Sequence, residues 1–317
     1  MKMRRLGRTG LNVSEMGLGG VRFTDLPRSE AYARVVRRAL DRGVTLIDTA
    51  PGYAHSEEVL GQALTGVPRE RFVLSSKYYP YGEGDALALS GEALARSVAR
   101  SLERLRTGHL DILHLHWVHT ADDILKIMNS DLGRTLQRLK SLGNIRHLAV
   151  SEASELDGEH RMLEAALPKQ FFEVVMVAYN VFFQTAERTV LPLARETDTG
   201  VLVMMPLNQP LSGKGLLGTA AARDNLKDLV TEGALTAGST WDDPAVLDFL
   251  TADSSRTMPQ AAIRFALDRP EVSSVLVGTA SVEHLDEDLA ASDQPPLSAS
   301  AHARARELFG SVLKQVK

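Results

Sequence analysis

The 317-residue chain contains no cysteine, which excludes disulfides, thiol catalysis and iron–sulfur ligation but leaves its compartment open. Neither sign of charge dominates, and a formal net charge of −4 gives no reason to expect nucleic acid or an anionic membrane as a partner. No apolar run approaches the length needed to cross a bilayer. The opening MKMRRLGRTGLNVSE is basic, but no apolar segment follows it, so it does not read as a secretory signal. A cytoplasmic protein is the expectation. The composition, 44% hydrophobic, is ample for one large core, and a single α/β barrel domain can use all of residues 1–317.

The chain is organised around Gly43–Gly61, GVTLIDTAPGYAHSEEVLG. Val44-Thr45-Leu46-Ile47 reads as a buried strand ending on Asp48; Pro51-Gly52 then break the backbone and present Tyr53 before Ser56-Glu57-Glu58 opens a helix. Alone, an acid at a strand end and a phenol five positions on can be structural. Two further strands change the balance: Phe72–Ser76 ends at Lys77, and Asp111–Leu115 ends at His116. Helical segments separate the strands, at Glu57–Leu64 and Gly91–Leu105, and the alternation continues. Helices are expected at Ser29–Asp41, Leu132–Leu142, Leu156–Ala166, Thr189–Glu196, Pro259–Leu267 and Val282–Ala290, with a terminal helix at Ser298–Val316. Strands are expected at Glu15–Gly20, Ile145–Val150, Phe172–Val177, Val201–Met204 and Ser273–Val277, and a small hairpin over Met3–Val13. The pattern is lost from Pro206 to about Thr257, apart from a short helix at Pro244–Leu250. Parallel strands joined by helices place their carboxyl ends on one face, so an acid, a phenol, a lysine and an imidazole are expected around one pocket.

The segments RRLGRTGLNVSEMGLGG, DTAPGYAHSEEVLG, SSK, LDILHLHW and LVGTASVEHLDEDL occur in the order of one family's pattern, and the chain resembles an aldo-keto reductase from about Leu6 to Ala291. The resemblance implies a (β/α)8 TIM barrel with an N-terminal hairpin plugging one end and an extra C-terminal helix. It also implies reduction of an aldehyde or ketone by hydride from a nicotinamide, with Asp48, Tyr53, Lys77 and His116 as the catalytic tetrad. In that arrangement Lys77 lowers the pKa of the Tyr53 proton donor, Asp48 holds Lys77 charged, and His116 orients the carbonyl oxygen.

For the cofactor, NADP with NAD also possible, the resemblance implies contacts from Gly20, Val21, Asp48, Ser151, Glu152, Met176, Met204, Pro206, Leu207, Ser212, Lys214, Gly278, Thr279, Ser281, His284, Glu287 and Asp288. Several depart from the family pattern. Glu152, Met176 and Met204 stand where the family has asparagine, glutamine and a stacking aromatic ring, and Met204 can still pack on a ring face. The positions that usually grip a 2′-phosphate with cations hold Gly278 and His284, and Asp288 replaces an asparagine near the adenine, so a small NADPH advantage is expected.

His114 lies two residues before His116 and therefore on the same strand face. Two inward histidines admit a metal-dependent barrel hydrolase, but Ser151, Met176 and Met204 occupy the positions where further ligands are needed, so no metal is expected. A non-catalytic nucleotide-binding sensor or partner subunit is the other alternative. Tyr78 and Trp117, together with Tyr79 and Tyr81, are expected to form an aromatic wall of the pocket for a small carbonyl substrate.

Overall fold

The computed structural model describes residues 1–207, 211, 244–252 and 255–313. Eight parallel strands close into a barrel: β3 (Met16–Gly19), β4 (Leu46–Asp48), β5 (Val73–Tyr78), β6 (Leu110–Val118), β7 (Ile145–Glu152), β8 (Val174–Ala178), β9 (Gly200–Met204) and β10 (Val272–Val277), with β10 pairing back onto β3. Before them, β1 (Met3–Arg5) and β2 (Asn12–Ser14) form the expected antiparallel hairpin. It is a plug in the physical sense: Leu6 and Val13 belong to the barrel's inner core with Leu46, Val73, Ile112, Val174, Leu202 and Leu276. Arg4 fastens it, pairing with the buried Glu15 at 2.7 Å and donating to the carbonyl of Val272 at 2.9 Å.

The helices form where apolar residues recur at the helical period. In α1 (Ser29–Asp41) the buried positions are Tyr32, Ala33, Val35, Val36, Ala39 and Leu40, and Gly43, at φ +84°, makes the left-handed turn after it. The series continues with α2 (Ser56–Ala63), α3 (Gly91–Arg104), α4 (Ala121–Met128), α5 (Asp131–Ser141), α6 (Arg161–Ala166), α7 (Val190–Glu196), α8 (Met258–Leu267) and α9 (Val282–Leu289). A last helix, α10 (Ala299–Phe309), follows them. Among the described residues no helix is long and apolar enough to cross a membrane.

Three expectations need correction. α4 was not foreseen: Thr120 caps it by accepting the Asp123 N–H, and it buries Ile124 and Ile127. α6 starts at Arg161 rather than Leu156, because His160 sits at φ +60° and a right-handed helix cannot run through a left-handed residue. α10 ends at Phe309, and residues 310–313 are not helical. Pro244–Leu250 is a short helix as expected, of the 3-10 type. Ser212 and Lys214 lie outside the described residues.

Close helix packing fixes the strand that carries Lys77. Glu57 of α2, almost fully buried, accepts from Ser76 of β5 at 2.7 Å and from Arg104 of α3 at 2.7 Å. One turn on, Gly61 lets α2 approach so closely that an added Cβ would lie 2.1 Å from the Arg104 carbonyl oxygen. Backbone cannot yield there as a side chain tip would. Gly61→Ala is therefore expected to destabilise the fold by about 1–3 kcal/mol, the range for overpacking, and a chemical denaturation curve measures it.

Candidate active site

Asp48, at the last position of β4, and Lys77, one residue before the end of β5, meet inside the barrel mouth. Lys77 Nζ donates to Asp48 Oδ2 and to the Thr49 carbonyl at 2.9 Å, while Ser75 donates to the other Asp48 oxygen at 2.8 Å. Lys77 is 1% exposed, so burial opposes its charge; the Asp48 carboxylate and then Tyr53 more than offset this and hold the ammonium above its ordinary pKa. The Tyr53 ring lies over Lys77, with Nζ 5.0 Å from its centroid. Tyr53 meets His116 edge-on at a centroid distance of 5.8 Å. The structure thus brings all four residues together.

The pKa values refine the expectation. Burial pushes the Tyr53 phenol up, Lys77 pulls it back through its charge and contact, and Asp48 pushes it up again, leaving it above its ordinary value. Lys77 has the expected sign, but burial outweighs it, so Tyr53 carries its proton at neutral pH. His116 is pushed down to about 3 by burial and by the Lys77 charge. It is neutral across the physiological range and can donate a hydrogen bond without carrying charge.

His116 owes its aim to a break in β6. The β6–β7 register shifts between Leu115 and Val118, and Trp117 adopts φ +57°, a left-handed conformation unusual for a bulky residue. The Ser151 hydroxyl of β7 accepts the Trp117 N–H at 2.9 Å and holds the bulge. Trp117 is 41% exposed; Val21 after β3 and Met205 after β9 are 47% and 42% exposed, and Met205 is also left-handed, at φ +56°. Three exposed apolar side chains at strand ends, two on strained backbone, mark a surface shaped for a ligand. Tyr79 reaches His116 at 6.5 Å between centroids, and Tyr81 stacks on His119 at 3.9 Å.

Across the mouth, α9 begins at a loop in which Ser281 accepts the His284 N–H and the Thr279 hydroxyl accepts the Ser281 N–H at 3.1 Å. The Ser281 hydroxyl in turn donates to Glu283 at 2.6 Å. This bond, together with the Glu283 N–H, holds the Glu283 carboxyl below its ordinary pKa. His284 and Gly278 are exposed. Asp286 faces α1, bonded to Arg38 at 2.9 Å and Arg42 at 2.6 Å. Asp288 is buried, and burial, then the neighbouring Glu287, raises its carboxyl to about 7.

The description "Aldo/keto reductase family" belongs to the family model that matches residues 15–309. The chain belongs to this family. It is an NAD(P)H-dependent oxidoreductase. The NADH-specific methylglyoxal reductase of Escherichia coli is 30% identical over 92% of this chain and 93% of its own length. Among solved structures, an aldo-keto reductase from Bacillus halodurans in its holo form superimposes with a TM-score of 0.74 at 24% identity, covering 100% of this chain and 97% of that one. One from Klebsiella pneumoniae in complex with NADPH gives 0.71 at 25% identity, with 97% and 95% covered.

Not every expected site residue faces the mouth of this reductase barrel. Tyr78, next to Lys77, takes the opposite face of β5 and packs in the core between barrel and helices, so Tyr79 and Tyr81 make the aromatic wall with Trp117. Met176 belongs to the inner core, whereas Met204 is partly exposed above it. Glu152 has both oxygens engaged, by the Ala178 N–H at 2.8 Å and by His160 at 2.6 Å, and is wholly buried. Gly20 and Pro206 are buried, and Leu207 is half-buried against the outer core. His114 is fully buried and held well below its ordinary pKa, first by burial and then by the Lys77 charge. Among the described residues no group of three His, Asp or Glu side chains is placed to hold a metal.

Asp288 makes stability depend on pH. A carboxyl with an unfolded value near 3.9 and a folded value of about 7 keeps its proton in the fold while the unfolded chain loses it. Its contribution is complete below about pH 4 and is lost as pH rises to about 7. In Asp288→Asn the melting temperature should match the parent near pH 4 and exceed it by several degrees at pH 8, as differential scanning calorimetry would read.

Proposed function

We propose that the chain, as one domain over residues 1–317, reduces an aldehyde or ketone to the alcohol, with Tyr53 as proton donor, Lys77 and Asp48 as its electrostatic support and His116 as the group that orients the carbonyl. The observation that carries this reading is the buried Lys77 ammonium, held by Asp48 on one side and covered by the Tyr53 ring on the other. Bound at the barrel mouth, the nicotinamide cofactor would supply the hydride for the carbonyl carbon. The carbonyl oxygen accepts a hydrogen bond from neutral His116 and receives the Tyr53 proton as negative charge develops on it. The phenolate left behind lies beside a fixed cation, and solvent restores its proton. No reorganisation is needed at that moment, because Asp48, Ser75 and Thr49 already hold Lys77 in place.

The mouth suits a dinucleotide: Val21 after β3 and Met205 after β9 form an exposed apolar rim, and between these two strands β10 leads through Gly278, next to Val21, to the amino end of α9. Among relatives, one is named for NADH and another was solved with NADPH. NADP(H) is the cofactor, with NAD(H) also accepted, and the cytoplasm, where reduced nicotinamide is available, is the expected setting.

Tyr53→Phe removes the proton donor and leaves the nucleotide site. Reduction of a simple aryl aldehyde should fall by about a hundredfold or more, with cofactor affinity within about twofold of the parent. Near-parental turnover in this variant would sink the tetrad assignment. A sensor that binds nucleotide without catalysis would show no turnover to lose.

Cofactor preference follows from the charges at α9. Gly278 offers no cation, and Asp286 is committed to Arg38 and Arg42. Glu283, tied to Ser281, puts an acid where a 2′-phosphate is expected to sit. The NADPH advantage over NADH should therefore not exceed about thirtyfold in kcat/KM. Glu283→Ala should tighten NADP+ binding about two- to fivefold, the worth of one charge at a helix end, and leave NAD+ binding unchanged. Fluorescence titration with both nucleotides decides it.

A further inference from the structure

Behind the active site, three polar side chains form a chain with almost no access to solvent. His160 Nδ1 lies 2.6 Å from Glu152 Oε2, and its Nε2 lies 2.7 Å from the Thr185 hydroxyl. Glu152 and His160 are 0% exposed and Thr185 2%. The other Glu152 oxygen accepts the Ala178 N–H at 2.8 Å, and the His160 ring packs against Phe183 at 5.3 Å between centroids. Burying such a set costs free energy that apolar residues would not, and burial duly raises the Glu152 carboxyl above its ordinary pKa. His160 also holds a left-handed backbone, φ +60°, which persists only where surrounding contacts fix it.

The placement of this chain gives it a task. It joins the end of β7, the loop before α6 and the loop after β8. That last loop is braced from outside: Gln184 donates to the Ala305 carbonyl of α10 at 2.9 Å, and Phe182 meets Phe309 edge-on at 4.7 Å. Directly before Glu152 stands Ser151, whose hydroxyl takes the Trp117 N–H and so sets the bulge that aims His116. Glu152 itself is registered opposite Val118, the residue that ends the bulge, and the Ala153 N–H bonds to the Val118 carbonyl at 3.2 Å. Every step from α10 to His116 is a hydrogen bond, a ring contact or a covalent neighbour.

We propose that Glu152, His160 and Thr185 are positioning residues that hold Ser151 and the Trp117 bulge, and through them the His116 imidazole, in register with Tyr53. The proposal rests on the reading of His116 as the group that orients the carbonyl. A network of this kind acts by geometry, so its loss should reduce kcat and leave cofactor binding alone.

Thr185→Val, which keeps the shape and removes the hydroxyl, tests it against Thr185→Ser, which restores the hydroxyl. The valine variant should lose about three- to tenfold in kcat, with NADP+ affinity unchanged, and the serine variant should recover most of it. In a His116→Ala background, Thr185→Val should lower kcat no further, because the effect passes through the missing ring. An equal loss in both backgrounds, or parental kcat in Thr185→Val beside an impaired His116→Ala, overturns the positioning chain. Undiminished turnover in His116→Ala instead overturns the reading of His116 and this proposal with it. Should the valine variant not fold, Thr185→Ala carries the same expectations.

Discussion

Everything at the barrel mouth depends on keeping one ammonium group charged where water cannot reach it. Desolvating Lys77 is expensive, and an isolated lysine at that depth would shed its proton. Asp48 prevents this, but only because it is itself held, by Ser75 from the same strand as the lysine. The remaining support comes from the Thr49 carbonyl, one residue past Asp48. Two neighbouring parallel strands therefore supply the cation, its counter-ion and the groups that fix both. In the β4–β5 register, Asp48 falls opposite Ser75. A slip of one residue would turn Asp48 or Lys77 outward, so the site demands that the barrel's register be unambiguous. The plug, with Leu6 and Val13 filling the far end, and the Glu57–Ser76–Arg104 contacts behind β5 both serve that end.

Charge placed this way also dictates the state of its neighbours. The Lys77 field reaches Tyr53, His114 and His116, favouring the phenolate in the first and the neutral ring in the others. Because burial keeps Tyr53 protonated at rest, the lysine's contribution is realised only as the proton leaves. That is the behaviour wanted of an acid whose conjugate base must be tolerated briefly: stabilisation that grows along the reaction rather than a depressed resting pKa.

Much of this was legible in the residues. Strand-terminal Asp48, Lys77 and His116 and the β/α alternation around them point to one mouth, and the family resemblance completes the set with Tyr53. What escaped the sequence has physical causes. Tyr78 was expected in the pocket beside Tyr79, yet the two-residue period of a strand that places Lys77 inside requires Tyr78 outside. The start of α6 is expected five residues early, at the first apolar position of a helical pattern, because nothing local announces that His160 will be held left-handed by partners at Glu152 and Thr185, 8 and 25 residues away. Long-range polar contacts leave no periodic trace. The bulge at Trp117 was equally silent, since its cause is a hydroxyl on the next strand.

Glu152 shows how a single departure from a family pattern can redistribute work across a site. A side chain expected to face a nicotinamide is instead drawn backward, both oxygens bonded within the scaffold. Ser151, its neighbour, is likewise engaged with the Trp117 N–H. On the proposed reading, the polar groups at this rim serve the alignment of His116, and the recognition of a bound dinucleotide would fall more heavily on the apolar rim and on the amino end of α9. That end carries its own acid, Glu283, while the nearby Asp286 is neutralised by Arg38 and Arg42 of α1. A helix end whose attraction for an anion is already partly satisfied from within discriminates weakly between nucleotides that differ by one phosphate. Weak discrimination at α9 and firm alignment at His116, as proposed, would thus be two sides of one allocation of polar groups around the barrel mouth.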